Sequence, residues 1–126
     1  MSWNAYVDSL KQRGMVGGAI CGLDGSWFVA SDGSQIRLDE LRSILNNYGK
    51  DTMYSVGVSL GGQRYMYLSA NDFSPFSLRC KKGSAGAHMA KSKTTMMVGI
   101  YDESKKAEEA AVVVESIVES LINANY

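Results

Sequence analysis

The sequence predicts an α+β protein in which an antiparallel sheet occupies the middle of the chain and helices lie at both ends. Apolar residues recur at helical spacing near each end of the 126-residue chain. Between these ends, short apolar segments alternate with glycine-containing turns, and one further helical segment interrupts them. Two-residue turns cannot join parallel strands, so neighbouring strands are expected to run antiparallel.

Three segments carry the helical spacing. Ser2 is a suitable N-cap for the first helix, and Gly14 is a suitable stop. Gly49 suits the C-cap of the second helix, whose first turn carries Asp39 and Glu40 at its positive end. The apolar positions of the three helices are Trp3, Tyr6, Val7 and Leu10; Leu38, Leu41, Ile44, Leu45 and Tyr48; and Ala107, Ala110, Ala111, Val114, Ile117, Val118, Leu121 and Ile122.

Strands are predicted between the turns. The segments are 16–23, 27–30, 54–60, 64–69, a pair that flanks 83–86, and 95–101. Asp24-Gly25 and Gly61-Gly62 are typical hairpin turns, and residues 71–75 are expected to form a loop. Segment 95–101 is the most apolar, which predicts a position in the centre of the sheet.

Composition and charge restrict the function. The length suits one domain with a substantial core, and the formal net charge of zero gives no global field that would attract nucleic acid. Asp8, Lys11 and Arg13 interrupt any apolar run near the start, so neither a signal peptide nor a transmembrane segment is expected. Cys21 and Cys80 are expected to be buried thiols, which indicates a cytosolic protein.

Nothing in the sequence favours an enzyme, a metal site or a cofactor. His88 is the single histidine, and a pair with Cys21 or Cys80 stays open, but no residue pattern orients either thiol. Residues 83–86 follow two lysines, whereas a P-loop places its lysine after the glycines. The chain also lacks the spacing of zinc ligands. These observations favour a binding protein without a catalytic residue or a bound metal.

Aromatic residues lie at both ends of the chain, at Trp3, Tyr6 and Tyr126. Chain ends usually fray and are small or polar, so these rings suggest that the two ends are pinned together. Rings gathered on one surface suit a proline-rich peptide, because a polyproline II helix is stiff and loses little entropy when it binds. The alternative is that Trp3 and Tyr6 only cover the core.

Five segments resemble the profilin family. They occur in the family's order over almost the whole chain, and they are 2–8, 60–64, 81–86, 98–101 and 121–126. The resemblance implies a single profilin-like domain over residues 1–126. In this fold, N- and C-terminal helices pack side by side on one face of the central antiparallel sheet, and a further helix lies on the other face. Such a protein is expected to be monomeric and to work in the cytoplasm and cytoskeleton.

The resemblance also implies the partners. They are monomeric actin, proline-rich proteins such as formin-type nucleators, and phosphoinositide lipids. The expected function is regulation of filament assembly and of nucleotide exchange on actin. The alternative is an adaptor of the same fold that responds to proline-rich ligands or lipids and has weak or lost actin binding.

A proline groove is implied by the resemblance, and its lining residues are Trp3, Tyr6, Phe28, Leu121 and Tyr126. In the family, a Trp usually follows Asp-Gly-x-x, and this position is Phe28 here, with Trp27 one residue early. Adjacent strand residues face opposite sides of a sheet, so only one of the two lines the groove. We expect Phe28, with Trp27 as the alternative. Ser120 replaces a larger family residue, so weaker proline binding is expected.

A basic stretch without acidic residues extends from Phe73 to Tyr101. Its residues Arg79, Lys81, Lys82, Lys91 and Lys93 are the expected phosphoinositide-binding set. The alternative is a strand edge that carries lysines against aggregation.

By resemblance, actin contacts are expected from Arg64, Met66, Lys81, Lys82, Lys106, Glu109, Val112 and Ser116. Ser69 stands where many relatives carry Arg, Phe73 replaces a basic residue in a longer 71–80 loop, and Glu108 lies near a family Gly. These departures are the reason for the adaptor alternative.

Overall fold

The computed structural model describes residues 2–126. Its elements are α1 (Trp3–Gln12), β1 (Gly17–Gly22), β2 (Phe28–Ala30), α2 (Leu38–Asn47), α3 (Thr52–Val56), β3 (Val58–Leu60), β4 (Gln63–Ala70), β5 (Leu78–Lys82), β6 (Ala85–Lys91), β7 (Thr95–Tyr101) and α4 (Ala107–Asn123). The strands form one antiparallel sheet in the order β2-β1-β7-β6-β5-β4-β3. The predicted α+β class is confirmed. None of the helices in this part of the chain is long and apolar enough to cross a bilayer.

Helices cover both faces of the sheet. On one face, Leu10 of α1 and Val114 of α4 pack in a core with Ile20 and Met97 of the sheet. On the other face, α2 and α3 pack against the alternate residues of the same strands, such as Cys21. The terminal helices therefore lie on the same face, as predicted, because side chains alternate along each strand.

Two strand predictions need correction. The segment 54–60 was expected to be one strand, but it begins with the short helix α3 and leaves only three residues to β3. In α3 only Met53 is buried in the core, whereas Tyr54 and Val56 are exposed. The packing of Met53 therefore outweighs the preference of its neighbours for a strand. Strand β7 is an interior strand, but β6 is the central one, with three strands on each side.

A buried carboxylate joins α2 to the β3–β4 hairpin. Glu40 Oε1 accepts hydrogen bonds from the backbone N–H groups of Arg37 at 2.9 Å and Gly61 at 2.8 Å, and Oε2 accepts one from Gly62 at 2.9 Å. One side chain therefore satisfies donors at the start of the helix and in a distant turn. The sequence placed Glu40 only at the positive end of a helix.

We predict that Glu40→Gln lowers the free energy of unfolding by about 1–3 kcal/mol, because the amide nitrogen of Gln would face a backbone donor and leave it unpaired. Urea unfolding followed by circular dichroism measures the change. Glu103→Gln is the matched control, since Glu103 is exposed and should change the stability little. Equal stability of the two variants would contradict the structural role of Glu40.

The single histidine is buried and links β6 to α4. His88 is 1% exposed, and its Nε2 lies 2.7 Å from Glu115 Oε2. Burial lowers the pKa of His88, the Glu115 carboxylate opposes this, and the nearby Arg79 guanidinium adds to it. Neutral His88 therefore donates its Nε2–H to the Glu115 carboxylate.

The histidine cannot pair with a cysteine as an activated nucleophile. Cys80 and its cross-strand partner Ala87 belong to the α2 side of the sheet, whereas His88 faces α4. Burial raises the pKa of Cys80 to about 12 and that of Cys21 to about 11, so both thiols are protonated and unreactive.

We predict that the free energy of unfolding falls as the pH drops below the ordinary imidazole pKa of 6.5. The unfolded chain takes up a proton on His88 at this pH, whereas burial delays that protonation in the folded chain, so acid favours unfolding. Urea unfolding between about pH 7.5 and pH 5 measures the slope, and His88→Leu should flatten it. A wild-type stability that rises on acidification would mean that the ion pair with Glu115 outweighs burial.

Candidate functional site

An aromatic cluster lies where the two chain ends meet the edge of the sheet. Trp3 is its hub. The Trp3 ring stacks on Trp27 with centroids 5.0 Å apart, lies 5.7 Å from Tyr6, and meets Tyr126 edge-on at 5.3 Å. These separations are the preferred ones for aromatic pairs. The prediction that Trp3, Tyr6 and Tyr126 come together is confirmed by these distances.

Local structure positions each ring. Ser2 Oγ accepts a hydrogen bond from the N–H of Asn4 at 3.1 Å and so starts α1 immediately before Trp3. Tyr6 follows one helical turn later on the same side. At the other end, the chain turns back after α4, where Asn125 has φ +70 and the Tyr126 N–H donates to the Leu121 carbonyl at 2.9 Å.

The expectation for Phe28 is wrong, and the alternative Trp27 lies in the cluster. Phe28 is the cross-strand partner of Cys21, whose side chain belongs to the core on the α2 side. Directly opposed residues share a face, so this register turns Phe28 away from the terminal helices. Trp27 then points to the α1 side, where it meets Trp3.

Leu121 does not line the surface. Its side chain is 0% exposed and belongs to the core beneath the rings. The prediction that it contacts a ligand directly is therefore wrong in this structure. Because residues one helical turn apart share a face, the same apolar stripe that predicted the helix also buries this residue.

The groove offers flat rings and unused hydrogen-bond donors. Trp3, Tyr6 and Trp27 are half-buried, and Tyr126 is exposed. Among residues 2–126, neither the two indole N–H groups nor the two phenol O–H groups of the cluster have a hydrogen-bond partner. This arrangement suits an extended ligand that has apolar flat faces and carbonyl oxygens without neighbouring N–H groups.

The five residues of the expected phosphoinositide-binding set do not lie on one face of the molecule. Arg79 and Lys81 lie on the side of the sheet that carries α4, whereas Lys82 alternates to the other side and contacts Gln63. Lys91 lies 4.0 Å over the Tyr48 ring on the α2 side, where burial lowers its pKa. Lys93 is in the β6–β7 turn and donates to Asn125 Oδ1 at 3.1 Å. Strand alternation separates residues that are close in sequence.

A second candidate surface includes the open face of β4 and β5 and the exposed side of α4. Helix α4 covers β6 and β7, which leaves the same face of β4 and β5 open. Met66 and Lys81 are cross-strand partners on this open face, and Met66 is 63% exposed. Val112 of α4 is 65% exposed. A large exposed apolar residue beside a lysine, such as Met66 beside Lys81, is typical of a protein-binding surface.

Other residues of the expected actin set have structural partners. Arg64 donates to the Ser55 carbonyl at 2.8 Å, and Glu109 Oε1 accepts the Lys106 N–H at 3.1 Å and so caps α4. Ser116 is half-buried and accepts a hydrogen bond of 2.6 Å from Arg13 of α1. It therefore lies on the flank of α4 that faces α1, away from β5.

The longer loop lies outside both surfaces. Tyr48 donates from its hydroxyl to the Phe76 carbonyl at 2.5 Å, which fixes the loop against the end of α2. Phe73, Phe76, Tyr48 and Lys91 line a cleft of about 610 Å³ there. Phe73 therefore lies away from Met66 and Lys81. Ser69, in contrast, is the cross-strand partner of Arg79 on the open face of β4 and β5.

Comparison with known proteins identifies the family. A family model described as Profilin matches residues 1–126. The chain is 38% identical to a profilin of Branchiostoma belcheri over 125 residues, covering 97% of each chain, and 35% identical to one of Bombyx mori over 129 residues, covering 100% of each.

Solved structures agree with the sequence comparison. Acanthamoeba castellanii profilin II has a TM-score of 0.88 and 31% identity, with 99% of this chain and 100% of that chain covered. Mouse profilin IIa, in complex with a double repeat from the FH1 domain of mDia1, has the same fold with a TM-score of 0.80 at 17% identity, with both chains fully covered. The chain belongs to the profilin family.

Proposed function

We propose that this protein binds proline-rich peptides in the aromatic groove and monomeric actin on the surface formed by α4, β4 and β5. In this proposal, residues 1–126 act as one domain, and the protein regulates filament assembly in the cytoplasm, where actin monomers are found. The observation that carries it is the Trp3-centred cluster, in which Trp27, Tyr6 and Tyr126 surround one indole ring.

The groove suits proline for a physical reason. A proline carbonyl accepts a hydrogen bond, but the residue has no N–H that would need an acceptor in the groove. The indole and phenol groups of the cluster are donors, so they match such a ligand, and the rings cover the flat pyrrolidine faces. The FH1 repeat in the mouse profilin IIa complex supports a proline-rich partner of the formin type here.

The actin proposal rests on family membership and on the exposed surface. Met66 and Val112 supply apolar contact area, and Lys81 supplies positive charge for an acidic partner. Speeding nucleotide exchange requires that the protein bind the open form of actin more tightly than the closed form, since only differential affinity shifts an equilibrium. Phosphoinositide binding stays a prediction, because the basic residues are divided between surfaces.

We predict that Trp27→Ala weakens binding of poly-L-proline about 30-fold or more, the loss expected for a central aromatic contact, while Phe28→Ala changes it less than about twofold. The two residues are adjacent and differ in the face they occupy, so each variant controls for the other. Isothermal titration calorimetry measures the affinities. An equal loss in both variants, or a loss only in Phe28→Ala, would overturn the assignment of the groove.

We predict that an excess of the wild-type protein slows spontaneous assembly of purified actin, and that Lys81→Glu weakens this effect by reversing a charge on the contact surface. Fluorescence of labelled actin follows assembly. Lys50→Glu is the control, because Lys50 is exposed in the connection between α2 and α3. If the wild type binds poly-L-proline but leaves assembly unchanged at a several-fold excess, the protein is an adaptor rather than a regulator of actin monomers.

A further inference from the structure

We infer that the turn Ser92-Lys93-Thr94 is a positioning element that holds Tyr126 in the aromatic groove, an inference that rests on the proposed proline binding. The turn connects β6 to β7 and contributes no ring to the cluster. It acts through Tyr126. Residues of this turn should therefore affect the affinity for proline-rich ligands without contacting the face of the Tyr126 ring that binds the ligand.

Three donors of the turn converge on one oxygen. The main-chain oxygen of Tyr126 accepts hydrogen bonds from the Thr94 N–H at 2.6 Å, the Thr94 hydroxyl at 2.6 Å and the Ser92 hydroxyl at 3.1 Å. A fourth bond joins the neighbouring residues, from the Lys93 ammonium to Asn125 Oδ1 at 3.1 Å. Both members of the Asn125-Tyr126 pair are thus held by the same turn.

The Ser92 hydroxyl is held in place by its neighbour Thr95. Ser92 Oγ accepts the Thr95 N–H at 3.1 Å, and the two hydroxyl groups are also in contact. The Tyr126 main-chain oxygen at 3.1 Å is a closer acceptor for the single Ser92 proton than the Thr95 carbonyl oxygen at 3.5 Å. Ser92 and Thr95 are buried, and they directly follow β6 and begin β7, so the donor is anchored next to the sheet.

The turn compensates for the weak packing of residues 123–126. Residues 123–126 are exposed, so apart from backbone bonds such as that from the Tyr126 N–H to the Leu121 carbonyl, little packing holds this segment in place. Without the turn, a ligand would have to order Tyr126 when it binds, and that ordering would reduce the affinity. With the turn, the ring is already placed edge-on against Trp3.

The test uses Thr94, which is exposed, so its variants should fold. Thr94→Val keeps the shape and removes the hydroxyl donor, and it should weaken poly-L-proline binding about three- to tenfold, as expected for one net hydrogen bond. Thr94→Ser keeps the donor and should bind like the wild type. Thr52→Val is the matched control, because it removes a hydroxyl bond of 2.9 Å to Asn47 in a distant helix.

A double-mutant cycle separates positioning from direct contact. If Thr94 acts through Tyr126, Thr94→Val should cause no further loss in a Tyr126→Ala background. A loss of the same size in both backgrounds would overturn the inference, and so would unchanged binding by Thr94→Val.

A measurement without ligand keeps this inference distinct from the proposed function. Nuclear Overhauser contacts between the Tyr126 and Trp3 rings should weaken in Thr94→Val and persist in Thr94→Ser. If wild-type protein fails to bind poly-L-proline while this contrast holds, proline binding is refuted and the positioning of the ring stands. If the contacts are equally strong in Thr94→Val, the turn does not position Tyr126.

Discussion

The arrangement of the terminal helices depends on two glycines in the part of the sheet that they cover. Gly18 of β1 and Gly99 of β7 are cross-strand partners beneath α1 and α4. A Cβ atom at Gly99 would lie 2.6 Å from the Val114 side chain of α4, and one at Gly18 would lie 2.7 Å from the Leu10 side chain of α1 and 1.9 Å from the Val98 carbonyl oxygen. A side chain at Gly18 would therefore collide with the backbone of β7, and one at Gly99 would force the Val114 side chain of α4 to move. Close packing over this pair places the two chain ends beside each other.

The aromatic groove follows from that packing. Trp3 and Tyr6 come from α1, Tyr126 follows α4, and Trp27 precedes β2 at the edge next to β1. The four rings therefore come from three parts of the chain, and α1 supplies two of them. The geometry of this ligand surface therefore depends on how firmly the two terminal helices are held together. The hydrogen bond from Arg13 to Ser116 joins the helices, and the turn Ser92–Thr94 holds Tyr126.

Much of the fold could be predicted because the spacing of apolar residues in the sequence indicates which side chains are buried. The stripes of α1, α2 and α4 and the hairpin glycines sufficed for the α+β class, and the aromatic residues at both ends, with the family resemblance, predicted that the chain ends meet. The predictions that failed concerned features that depend on strand register and on contacts between residues distant in sequence. Phe28 and Trp27 differ by one residue, and only the pairing with Cys21 decides which of them faces α1. The roles of Glu40 and His88 required knowledge of a turn and a helix that are distant in sequence.

The rigidity of α4 bears on how two ligands would share this molecule. The helix is fixed at its start by the Glu109 cap, on one flank by Glu115 with His88, on the other by Ser116 with Arg13, and near its end by buried Leu121. Its 17 residues span about 25 Å at 1.5 Å per residue. These contacts all oppose a movement of the helix that one ligand could favour over another. In the proposed function, α4 therefore acts as a spacer, and we expect actin near Val112 and a proline-rich peptide at Tyr126 to bind together without either changing the affinity for the other.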